Sequence, residues 1–103
     1  MAVTVLMRIK VPDWERFRRA YEELFERPAA PGFIEAQLLR RDGDPDEVLL
    51  LQRWESHAAM GAFTDEIGEE FNRAAGTEGA EWDDSVWEAS GVTTVRGPGG
   101  DRG

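Results

Sequence analysis

The stretch that most restricts the fold is Glu47–His57, which reads Glu-Val-Leu-Leu-Leu-Gln-Arg-Trp-Glu-Ser-His. A dense apolar run closes on Arg53 and Trp54, and Ser56, a residue type that caps helix N-termini, follows at once. The reading is a buried strand ending on a large aromatic where a helix begins. Junctions of this kind are where small α+β domains tend to form pockets.

The remaining elements can be placed around that strand. Residues 3–10 alternate, with Val3, Val5, Met7 and Ile9 on one face and Thr4, Leu6, Arg8 and Lys10 on the other. Pro12 and Asp13 stop this strand, and Asp13 can cap a helix in which Trp14, Phe17, Tyr21 and Leu24 recur at helical spacing, ending near Arg27. Residues 28–32 read as a loop. Residues 33–41 read as extended, with Phe33, Glu35, Gln37 and Leu39 on one face and Ile34, Ala36, Leu38 and Arg40 on the other. Asp42-Gly43-Asp44-Pro45-Asp46 is turn chemistry and makes a hairpin with the central strand. Its aspartate spacing echoes the start of a calcium loop. Glu47 and Arg53 stand where such a loop needs Gly and Glu, so a solvated turn is expected.

Beyond Ser56, the residues Met60, Phe63, Ile67, Phe71 and Ala74 form one apolar stripe, and Gly76 closes it. Gly61 and Gly68 weaken this helix, leaving one bent helix or two short ones open. An acidic loop over 77–84 leads to a short strand at Ser85–Ala89. Residues 1–90 make one domain. Residues 91–103 form a Gly-rich tail in which only Val92–Val95 could pair, with disorder expected past Arg96.

Strand, helix, strand, strand, helix, strand is the ferredoxin-like α+β order, βαββαβ, with a four-stranded antiparallel sheet covered by helices on one face. Apolar residues on the other face predict that two copies pack sheet to sheet into a dimeric α+β barrel, a homodimer. Composition narrows the partners. A chain of 103 residues allows one core, and a net charge of −9 repels phosphate backbones and anionic lipid, so neither nucleic acid nor membrane is expected. Cytoplasmic placement follows from the lack of a signal-peptide pattern or a spanning apolar run. With no cysteine and one histidine, thiolate chemistry and His-rich zinc sites are not expected. No phosphate-loop or dinucleotide motif is present, and no cofactor is anticipated.

Pro31-Gly32-Phe33 leading into the second strand, and Arg53-Trp54-Glu55-Ser56 leading from the third into a helix, resemble the antibiotic biosynthesis monooxygenase family of dimeric α+β barrels. The likeness spans roughly residues 3–89. It implies a small cofactor-independent monooxygenase of secondary metabolism acting on a planar aromatic or polyketide-type substrate. An aromatic polyketide cyclase of the same fold, or a non-catalytic ligand-binding accessory dimer, are the alternatives. The resemblance matches the quinone-forming members' Trp to Trp54 and an Arg to Arg73, whereas their Asn, Tyr and His positions hold Leu50, Met60 and Leu39. The haem-degrading branch has a Trp and an axial His where this chain has Phe63 and Arg73.

The catalytic candidates are therefore Trp54, His57, Glu35 and Arg73. Trp54 is either a core plug or a wall on which a planar ligand stacks. His57 is the one side chain that ordinarily titrates near neutrality. Glu35, if buried, would have a raised pKa and could exchange a proton. Arg73, with Asn72, falls away from the stripe of a continuous helix. Leu39, Leu50, Gln37, Gln52, Met60, Phe63 and Phe71 are the substrate-binding candidates, with Glu35, Gln37 and Gln52 assigned by parity to the face that carries Trp54.

Overall fold

A computed structural model describes residues 2–26, 30–88 and Gly97; the expected tail strand at Val92–Val95 lies outside the described residues. The elements are β1 (Val3–Lys10), α1 (Trp14–Glu26), β2 (Phe33–Arg41), β3 (Asp44–Trp54), α2 (His57–Ala75) and β4 (Asp83–Glu88). The strands form one antiparallel sheet in the order β2-β3-β1-β4, the ferredoxin-like topology, with both helices on one face. None of the described helices is long and apolar enough to cross a membrane.

Alternation decides which side chains meet the helices. Val3, Val5 and Ile9 of β1 and Val48, Leu50, Gln52 and Trp54 of β3 are buried on that face. Helix α1 answers with Phe17, Ala20, Tyr21 and Leu24, the spacing that puts one stripe on the sheet. Helix α2 is continuous through Gly61 and Gly68, and its buried positions are Phe71 and Ala75, so Ala75 rather than Ala74 closes the stripe. The Ser56 hydroxyl caps it by accepting the Ala59 N–H at 3.1 Å, and Gly76, at φ 77°, ends it.

Strand β2 departs from its expected alternation. Phe33 sits opposite Trp54, but Glu35 sits opposite Arg53, so two steps on β2 match one on β3 and Ile34 is the extra residue of a bulge. From there on the parity is inverted. Ala36 and Leu38 face the helices, opposite Gln52 and Leu50, while Glu35, Gln37 and Leu39 face the open side. The hairpin turn is also tighter than five residues. Strand β2 runs to Arg41 and β3 starts at Asp44, with Gly43 at φ 82° in the turn.

Candidate functional site

Between the sheet and α2 lies a cavity of about 190 Å³. Its sheet wall is Met7 and Leu50 with Gln52, its helical walls are Tyr21, Leu24, Phe63, Ile67 and Phe71, and Trp82 and Asp84 stand at the β4 side. Thr64, Gly68 and Asn72, three residues at four-residue spacing on α2, add a polar strip. Leu24, Phe63 and Ile67 also line a wider groove of about 650 Å³ between the C-terminal end of α1 and α2, so these three side chains partition the two spaces.

A buried hydrogen-bonded chain ends at the cavity. The Trp54 indole Nε1–H donates to Gln52 Oε1 at 2.9 Å, and Gln52 Nε2–H donates to the Tyr21 hydroxyl oxygen at 2.9 Å. Each link is placed by an element: Gln52 and Trp54 two residues apart on the helix-facing side of β3, Tyr21 in the α1 stripe against Phe17, Phe25 and Phe71. Burial pushes the Tyr21 hydroxyl up to about 12, the hydrogen bond from Gln52 opposing only in part. Asp84 is displaced upward too, through desolvation first and the neighbouring Asp83 second. Asn72 Oδ1 is held by the Thr77 hydroxyl at 2.7 Å.

Of the residues expected at the site, Leu50, Gln52, Phe63 and Phe71 line this cavity. Trp54 is fully buried behind it, edge-on to Phe33 and tilted on Phe63, which fits the plug reading of its ring. Met60 packs against the cluster of Val3, Val5 and Trp54. His57 is exposed at the first position of α2, and Arg73 is exposed near its end, neither touching the cavity. The parity assignment of Glu35, Gln37 and Leu39 is corrected by the bulge at Ile34: all three lie on the open face, where Glu35 is exposed and accepts from Arg53 at 2.8 Å. Asn72 is corrected in the opposite sense, since a continuous α2 turns it toward the cavity.

The sequence places Tyr21 in the apolar stripe of α1 and Asp84 in the acidic loop over 77–84, and neither is among the residues expected at the site. The signal for Tyr21 was Gln52 itself, a polar side chain in the helix-facing series of an apolar strand, which requires a buried partner. Among the described residues no group of three or more His, Cys, Asp or Glu side chains could hold a metal ion.

Comparison with known proteins agrees with the architecture. The sequence profile of the Antibiotic biosynthesis monooxygenase family matches residues 1–76. The chain belongs to that family. Comparison with curated proteins gives no match. Among solved structures, the cofactor-independent oxygenase SnoaB from Streptomyces nogalater superposes with a TM-score of 0.72 at 20% identity, covering 88% of this chain and 95% of that one. A Nitrosomonas europaea protein assigned as an antibiotic biosynthesis monooxygenase gives 0.73 at 13% identity, covering 90% and 94%. A Caulobacter crescentus protein assigned likewise gives 0.71 at 18%, covering 85% and 89%. At these identities the structural likeness concerns the fold.

Proposed function

We propose that this protein is a small monooxygenase of secondary metabolism that acts, without added cofactor, on a compact electron-rich phenol held between the sheet and α2. The observation that carries the reading is the aromatic-lined cavity of about 190 Å³ on which the Trp54–Gln52–Tyr21 chain converges. Apolar walls with a few convergent polar groups are the usual form of a small-molecule site. Size favours a substrate of one or two rings, because an apolar cavity of about 150 Å³ already holds benzene.

Oxygenation without metal or flavin requires the substrate to supply the electrons. A phenol bound here loses its proton, its anion gives one electron to O₂, and the resulting pair joins through a new C–O bond as a hydroperoxide. The O–O bond then breaks: one oxygen stays as the new quinone carbonyl, and the other leaves as water with the two hydrogens that the substrate has lost. The protein's share is deprotonation, orientation and exclusion of water. Among the described residues Asp84 is the one carboxylate lining the cavity, and its raised pKa brings it closer to the range of a phenol.

The same reading includes a homodimer. On the open sheet face Leu6, Leu49 and Leu51 are only half-buried, Leu39 is 38% exposed and Trp87 58% exposed. An apolar face of this kind favours a second copy, and a monomer by light scattering at micromolar concentration would refute it. The enzymatic part is tested by dissolved-oxygen measurement with a panel of one- and two-ring phenols under chelation. Uptake in proportion to quinone formed is the expected result. Ring closure without oxygen uptake would favour a cyclase, and binding without turnover an accessory protein; either outcome sinks the oxygenase.

A further inference from the structure

We propose that Tyr21 is the hydrogen-bond donor to the substrate's anionic oxygen, and that Trp54 acts from outside the cavity by fixing the direction in which that donor points. The inference rests on the cavity being the substrate site.

The direction follows from donor and acceptor inventory. An indole N–H can only donate. Because Trp54 Nε1 lies 2.9 Å from the Gln52 amide, that amide must turn its carbonyl oxygen toward the indole. Its nitrogen therefore faces Tyr21 at 2.9 Å, and an amide nitrogen also only donates. The Tyr21 oxygen is thus committed as an acceptor on this side, and its own proton must go elsewhere. Among the described residues Tyr21 makes no other hydrogen bond, and both Gln52 and Tyr21 line the cavity. A ligand oxygen in that space is the partner the geometry leaves.

Two donations upstream polarise the hydroxyl and strengthen it as a donor. With a pKa of about 12 the hydroxyl keeps its proton throughout the physiological range. Among the described residues the cavity's other titratable group is Asp84, while Arg18, Glu22 and Glu26 line a separate groove that Tyr21 also borders. Asp84 opposes an anion in the cavity, but equally in every variant that keeps it. The ligand class favoured by Tyr21 is a phenol bound as its phenolate, the form that can reduce O₂. Trp54 is then a positioning residue: without the indole, the Gln52 amide can turn over and accept the Tyr21 proton itself.

The test uses 4-nitrophenol, whose neutral and anionic forms differ in absorbance, titrated with pH while bound to the full-length protein and to Tyr21→Phe, Trp54→Phe and Gly68→Leu variants. The wild type is expected to bind the anion about tenfold tighter than Tyr21→Phe does, lowering the bound probe's ionisation midpoint by about one pH unit. Trp54→Phe should lose this preference although Tyr21 is still present, whereas Gln52→Met, which leaves no amide to accept the Tyr21 proton, should keep most of it. An unchanged midpoint in Tyr21→Phe overturns the donor assignment, and a preference retained in Trp54→Phe or lost in Gln52→Met overturns the role of the chain. Gly68→Leu should exclude the probe; binding that survives it, or no binding to the wild type, overturns the cavity reading and this inference with it.

Discussion

Tyr21 is the only tyrosine in the chain, so its ionisation can be followed without interference. Burial moves its hydroxyl from 10.0 to about 12, because the tyrosinate would have to form among Phe17, Phe25 and Phe71, away from water. The sign follows directly. Below pH 10 the tyrosine is neutral in both the folded and unfolded chains and contributes no pH dependence. Between about pH 10 and about pH 12 the unfolded chain releases the proton and the folded chain holds it, so stability falls as pH rises. At about 1.36 kcal/mol per unit, the full loss is roughly 2–3 kcal/mol. Tyrosinate absorbance should rise with a midpoint near 12 in native protein and near 10 in urea. Urea unfolding at about pH 9 and about pH 11.5 should show the loss in wild type, and Tyr21→Phe should remove that part of it. Tyrosinate forming near pH 10 in protein whose fold is intact would refute the burial of the Tyr21 hydroxyl among those rings.

The cavity and its supports give further predictions. A Cβ added at either Gly61 or Gly68 meets no atom within 4 Å, so Gly61→Ala and Gly68→Ala should each raise stability by up to about 1 kcal/mol in thermal unfolding. Only the second should weaken phenol binding, since Gly68 alone of the pair lines the cavity. Gly32, at φ 82°, holds the Pro31-Gly32 turn, and a Cβ there would stand 2.6 Å from that of Ala59. Gly32→Ala should cost about 2 kcal/mol or more in urea unfolding, from backbone strain and overpacking together. Arg16 closes the end of α2 by donating to the Ala74 and Arg73 carbonyl oxygens, each at 2.9 Å. Arg16→Met should cost about 1 kcal/mol by the same measurement.

Much of the fold was legible because its signals are local. Alternation marked β1, the apolar run closing on Trp54 marked β3, and Ser56 and Gly76 bounded α2. The site was legible only in part, for three physical reasons. A bulge at Ile34, with no glycine to announce it, inverts every later residue of β2, which carried Glu35, Gln37 and Leu39 to the open face and brought Ala36 and Leu38 inward. The pairing of Tyr21 with Gln52 joins residues 31 apart on different elements, and no periodicity within either element encodes it. The phase of α2 was the third difficulty. Because Gly68 does not break the helix, Asn72 stays on the turn that faces the cavity, while Arg73 points out.

The most direct measurement is a structure of the protein soaked with a one-ring phenol. The ring is expected between Phe63, Ile67 and Leu50, with its oxygen within hydrogen-bonding distance of the Tyr21 hydroxyl. Ligand density confined to the groove between α1 and α2, with the space beside Gln52 left empty, would contradict it.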